Sequence, residues 1–167
     1  MPGFLRFVAV VALVATPALA RESLGMFAGW GAFRDPGNSA GGPRCYAIAM
    51  AARSTLAREY QPYAAVGTWP RKTVRNQLHF RLSRKLAPAG RITLSIGRQR
   101  FALSGGGGDA WAADQRMDAA IIAAMRSATE MTVSARGADG RSFSNSWALA
   151  GAATAMDAAT IACAALR

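Results

Sequence analysis

Across the stretch Arg75 to Ser83, Leu78, Phe80 and Leu82 alternate with Gln77, His79, Arg81 and Ser83, and this period of two constrains the fold more than any other feature of the chain. Successive side chains of a strand point to opposite faces, so such a segment has to bury one face and leave the other wet. The pattern recurs nearby. Ile92, Leu94 and Ile96 alternate with Arg91, Thr93 and Ser95, and Phe101 and Leu103 continue the apolar set after Gly97-Arg98-Gln99. With Pro88-Ala89-Gly90 turning the chain beforehand, the segments predict antiparallel strands, the last two joined as a hairpin.

The remaining elements are read around these strands. Gly29 to Phe33 and Arg44 to Ala52 predict two earlier strands, separated by a loop from Asp35 to Pro43 rich in Gly and Pro. Ala57 to Pro70, which holds Tyr60, Pro62, Tyr63, Gly67 and Trp69, predicts an aromatic-bearing loop, and Gly105 to Gly108 a flexible run. Asp114 is placed to cap a helix whose inner face is Met117, Ile121, Ala124, Met125 and Ala128. Met131 to Ala135 and Ser142 to Leu149 flank Gly137-Ala138-Asp139-Gly140, whose Asp-Gly favours a hairpin turn. Thr154 with Asp157 predicts the capping box of a last helix ending near Leu166. The expected class is mainly β (α+β): an antiparallel sheet or sandwich with two helices packed against it.

The opening residues carry an address. Arg6 precedes an apolar run from Phe7 to Ala15, and Thr16-Pro17-Ala18-Leu19-Ala20 follows, the three regions of a secretory signal with Ala18 and Ala20 at the cleavage site. The run is well short of the roughly 20 residues that span a bilayer, and no later segment is long and apolar enough to do so. Residues 1–20 are therefore expected to be removed, leaving residues 21–167 as one domain in the periplasm or outside the cell, with no integral membrane span.

In an oxidising compartment, an even pair of cysteines without metal-spaced neighbours predicts a disulfide, here Cys45 with Cys163. The bridge would staple the C-terminal helix to an early strand; two buried free thiols are the alternative.

Three stretches carry a resemblance in this order: HFRLSRKLAPAG from His79 to Gly90, IIAAMRSATEMTV from Ile121 to Val133, and SWALAGAATAMDAA from Ser146 to Ala159. Together with an early tryptophan, Trp30, ahead of the cysteine-bearing strand, the chain resembles the invasion-associated locus B family of exported alphaproteobacterial proteins. The resemblance implies a β-rich, non-enzymatic envelope or secreted protein associated with contact between bacterium and host cell. Members carry further cysteines just after the early tryptophan and after the central hairpin, where this chain has Ala32-Phe33 and Gly105 to Trp111. No functional site carries over residue by residue.

Charge supplies the main functional lead. The chain has 20 Lys plus Arg against 9 Asp plus Glu, and no acid lies between Glu59 and Asp109. Arg75, Arg81 and Arg91 are expected to face outward from the strands, with Arg71 and Lys72 nearby, forming a candidate face for an anionic envelope or host-surface polymer. A solvated polar face is the alternative reading. Another envelope protein is a further candidate partner. Nucleic acid is not expected, because there is no zinc-finger spacing, recognition helix or aromatic RNA-binding motif. Trp69, beside Arg71 and Lys72, is placed to stack on a sugar.

Catalytic and cofactor patterns are weak. Gly105 to Ala110 matches a dinucleotide fingerprint only literally, since Trp111 and Asp114 separate the glycines from the helix. His79 is the only histidine, there is no Gly-x-Ser-x-Gly elbow, and Asp114 with Asp118 suits the start of a helix, where acids complement the dipole. No catalytic residue, cofactor or metal site is expected. A small hydrolase acting on a wall polymer is the runner-up.

Overall fold

The computed structural model describes residues 21–37, 42–164 and 166. The expected signal segment and its cleavage residues Ala18 and Ala20 lie outside the described residues. Ten strands and two longer helices follow in order: β1 (Glu22–Phe27), β2 (Trp30–Asp35), β3 (Arg44–Met50), β4 (Tyr63–Trp69), β5 (Val74–Arg81), β6 (Ile92–Ile96), β7 (Gln99–Gly106), β8 (Asp109–Trp111), α1 (Gln115–Ser127), β9 (Glu130–Arg136), β10 (Ser142–Ala148) and α2 (Ala152–Ala164). The strands form one antiparallel sheet in the order β1-β2-β3-β4-β5-β8-β7-β6-β9-β10. This is the mainly β architecture with two helices read from the sequence.

The sheet bends at β7, whose first half pairs with β6 and whose last residues pair with β8. The bend brings β10 back to the other end of the sheet. There Ala52 N–H donates to Ser146 O at 2.8 Å, Ser83 N–H to Asn145 Oδ1 at 3.0 Å, and the Trp30 indole N–H to Ala148 O at 2.9 Å. Inside the fold lies one apolar cluster that includes Trp30, Leu78, Phe80, Leu94, Ile121 and Trp147, all fully buried. The alternation around Phe80 is thus met as read: Leu78, Phe80 and Leu82 are inside, Gln77, His79 and Arg81 outside.

Cys45 and Cys163 form a disulfide with their Cα atoms 5.7 Å apart, tying α2 to β3. The tie fits an oxidising compartment. Among the described residues, no helix is long and apolar enough to cross a membrane.

Several elements differ from the expectations, each for a local reason. The early strand is a hairpin, because Ala28 takes a positive φ and with Gly29 folds β1 onto β2. The expected loop from Ala57 to Pro70 contains β4, a central strand whose inner residues, Ala64 and Val66, are too small to show an alternation. Helix α2 begins at Ala152, so Thr154 lies inside it rather than at a capping box, and Asp157 instead receives two bonds from Arg126 of α1, at 2.6 and 3.2 Å.

The glycine run is a tight hairpin rather than a flexible stretch: β7 continues through Gly106 and β8 starts at Asp109. A Cβ at Gly105 would stand 2.3 Å from the Asp109 carbonyl oxygen, whereas one at Gly106 would meet nothing within 4 Å. We expect Gly105→Ala to cost about 1 to 3 kcal/mol by pushing the two backbones apart, and Gly106→Ala to stay within about 0.5 kcal/mol. Urea unfolding of the two variants measures the contrast.

Asp114 caps α1 as expected, accepting from Met117 N–H at 2.8 Å. Asp118, expected to complement the helix dipole, is instead buried and accepts the Leu78 N–H of β5 at 2.8 Å. Strand β8 pairs with β5 only from His79 to Arg81, and Asp118 takes over the backbone donor just beyond that end. Burial raises the carboxyl pKa of Asp118 above its usual 3.8, against the lowering effect of the Leu78 bond. An acid whose folded pKa is raised contributes stability below its ordinary value and loses that contribution as pH rises through the raised one. Asp118→Asn keeps an acceptor without the charge, so its stability relative to wild type should improve as pH increases from about 3.8 to neutrality. Thermal melts across that range test the sign.

Candidate functional site

The face of the sheet turned away from α2 is built by register. Cys45, Ala47 and Ala49 of β3 lie under α2, so Tyr46 and Ile48 between them point the other way. Tyr46 is opposite Gly67, which is opposite Gln77. In the next row Ile48, Ala65, His79 and Trp111 stand side by side across four strands, and in the third Tyr63 is followed by Arg81 and Asp109. Strand β4 therefore lays Tyr63, Ala65, Gly67 and Trp69 along this face, two rings at the ends and two small residues between. The result is a recess of about 290 Å³ whose lining includes all four, together with Tyr46, Gln77 and His79.

Gly67 is required by this arrangement. A Cβ there would come within 2.6 Å of the Trp69 ring, so only glycine lets the indole lie back over the strand. Trp69, expected in a loop, is in fact the half-buried end of β4, and its ring forms one wall.

Charge enters from Arg21 and Arg44, which also line the recess. Arg44 donates through Nε and Nη2 to Asp35 Oδ2 at 3.2 and 2.9 Å, and Arg21 lies 3.9 Å from the same oxygen. Both guanidiniums also sit over the Tyr46 ring, 5.3 and 5.6 Å from its centre. The Gly37 N–H and the Arg44 guanidinium hold the Asp35 carboxyl below the usual carboxylate range. Two cations thus share one anion. Burial pushes the Tyr46 and Tyr63 phenols up, so both keep their hydroxyl hydrogens at neutral pH.

A second polar group borders the recess. His79 Nε2 is 3.0 Å from Asp109 Oδ1, and Arg81 Nη1 donates to the other carboxylate oxygen at 2.5 Å. A carboxylate only accepts, which assigns the hydrogen to Nε2. The imidazole is held between Trp111, stacked at 5.1 Å, and the edge of Tyr63 at 5.4 Å. Arg81 in turn lies over Tyr60 at 3.9 Å.

The residues proposed as a basic face are not gathered in one place. Arg81 lies on the outer face with Gln77 and His79, but it is half-buried and engaged with Asp109 rather than a free charge. Arg75 borders a crevice with Thr160 and Cys163 of α2, because the αL residue Asn76 and a bulge in the β4–β5 pairing intervene before Gln77 and His79. Arg91 lines a separate hollow with Leu56 and Phe143, and Arg71 packs beside Gly42. Lys72 ends the short 3-10 turn that follows Trp69. Trp111, at the end of β8, is exposed. Sequence reasoning missed Tyr46, Tyr63 and Arg44 as parts of one site; the only local trace is the large-small-small-large spacing from Tyr63 to Trp69.

Among the described residues, no group of three or more His, Cys, Asp or Glu is placed to hold a metal ion. Compared with family models, with curated proteins and with solved structures, the chain matches none.

Proposed function

We propose that this is an exported, non-catalytic protein of the bacterial envelope or its surroundings that acts by binding, through the recess on β3, β4 and β5, a polymer of the envelope or host surface. The observation that carries the reading is the β4 cradle, in which Gly67 lets the Trp69 indole lie down over the strand and Ala65 leaves an apolar floor between that ring and Tyr63. Shallow sites of this composition favour ligands that lay a flat apolar surface on aromatic rings. The polar groups around it are engaged with each other, His79 and Arg81 with Asp109, and Arg44 with Asp35, which suits a preformed binding surface. The resemblance to the invasion-associated locus B family fits this reading, as does the disulfide.

A second reading, a small wall-polymer hydrolase, draws on the same His79–Asp109 pair, since a carboxylate that fixes an imidazole tautomer also prepares a general base. Binding of the purified protein to immobilised heparin and lipopolysaccharide separates the possibilities. Trp69→Ala and Tyr63→Ala are expected to weaken retention at least tenfold, with Arg91→Ser nearly neutral. Retention unchanged by both ring deletions, or cleavage of peptidoglycan that disappears in His79→Ala, contradicts the binding reading.

A further inference from the structure

We infer that the recess selects acidic sugar units: a saccharide ring lies over Ala65 against the Trp69 indole, and an anionic substituent on it meets the guanidiniums of Arg44 and Arg21. This rests on the recess being the binding site, and adds what that site distinguishes. Three observations combine. First, the floor and walls present apolar and aromatic side chains around a recess of about 290 Å³. Second, the polar groups bordering it are those that recognise hydroxyls. Gln77 offers both a donor and an acceptor, and His79 keeps Nδ1 for the ligand because Nε2 is taken by Asp109.

Third, the charge beside the recess is unbalanced in one direction. Arg21 and Arg44 face a single carboxylate, Asp35, which its Gly37 and Arg44 bonds keep ionised well into acid, so one positive charge is left over. Both guanidiniums lie over the Tyr46 ring, and a planar guanidinium pairs with carboxylate or sulfate through parallel bonds. Stacking alone would accept neutral sugars equally. The pair of arginines therefore supplies the selectivity, and the β4 cradle the affinity common to both kinds of sugar.

Titration calorimetry with oligogalacturonate, an acidic probe, and with maltohexaose, a neutral probe of similar length, tests the assignment. Wild type should bind the acidic probe at least tenfold more tightly, the discrimination expected of one charge-assisted contact of about 1.4 kcal/mol. Arg44→Gln should bring the two probes level. Asp35→Asn, which removes the anion competing for both arginines, should instead strengthen acidic binding severalfold, an effect that loss of folding cannot imitate. Equal affinity for both probes in wild type, or no response to either charge variant, overturns the acidic selectivity while leaving the recess as a binding site. An acidic preference that survives Trp69→Ala intact overturns the role given to the ring. If neither probe binds, recognition of a sugar carboxylate is overturned; heparin retention that still depends on Trp69 then leaves the recess standing as the binding site, and retention that ignores Trp69 removes both.

Discussion

Replacing Cys45 and Cys163 together by alanine is expected to lower stability by about 4 to 5 kcal/mol, the largest effect of any change considered for this fold. The magnitude follows from separation in sequence. The bridge joins residues 118 apart, so in the unfolded chain it closes a loop that spans most of the described residues. In the chain-entropy description, cross-linking so long a loop removes more freedom from the unfolded ensemble than a short one does. The location adds to it. Helix α2 lies over β1 to β4, its inner residues are Ala152, Ala155, Met156 and Ala159, and its packing is shallow because most of those side chains are methyl groups. Without the covalent tie, the C-terminal turn of α2 has little apolar area to hold it. The melting temperature should fall by roughly 10 to 15 °C. Differential scanning calorimetry of the variant, and of wild type in the presence of reductant, gives the number; a fall of only a degree or two in both would show that packing alone holds α2.

Trp30→Ala should come next, at about 3 to 5 kcal/mol. Trp30 is fully buried at the start of β2, and its indole N–H donates to Ala148 O across the gap between the two ends of the sheet. Truncation leaves a cavity the size of an indole and removes the side-chain N–H that Ala148 O accepts. Trp147 makes a useful comparison. It is equally buried and packs on Phe80 at 5.3 Å between ring centres, yet among the described residues its indole nitrogen has no hydrogen-bond partner. Trp147→Phe removes an unpartnered donor, whereas Trp30→Phe removes a partnered one, so Trp30→Phe should be the more destabilising by about 1 kcal/mol. Chemical denaturation of the two phenylalanine variants measures that difference directly, and equal losses would deny the Ala148 bond its role in closing the sheet.

The parts of this fold that show in the sequence are those built from large side chains. Phe80, Leu94 and Ile96 are bulky enough that one buried face stands out against its polar neighbours, and the β6–β7 hairpin was fixed further by Gly97-Arg98. Strand β4 stayed hidden for the opposite reason. Its buried positions carry Ala64 and Val66, its other face is half Ala and Gly, and Pro62 and Pro70 bracket it like a loop. The β7–β8 turn was likewise invisible, because a run of glycines has no side chains with which to show a period. Helix α1 was legible to the cap, since Asp114 and the Ile121, Ala124, Met125 face are local signals.

The candidate site was legible only in fragments. Trp69 stands out in the sequence as a ring near basic residues, but its neighbours Tyr46 and Gln77 come from β3 and β5 and meet it only through register, which a single sequence does not specify. The arginines were misjudged because a count of charges cannot show which are already paired. Arg81 is bound by an acid, Asp109, that lies 28 residues away in the chain, whereas Arg21 and Arg44 outnumber the one acid between them.

The most direct test is to map a short heparin fragment onto the isotope-labelled protein by amide chemical shifts. The shifts should concentrate on the strands bearing Tyr46, Ala65, Gly67, Gln77 and His79, and vanish in Trp69→Ala. Shifts concentrated at Arg91, Arg98 and Arg100, with the β4 amides unmoved, would contradict the assignment of this recess as the place where the protein meets its partner.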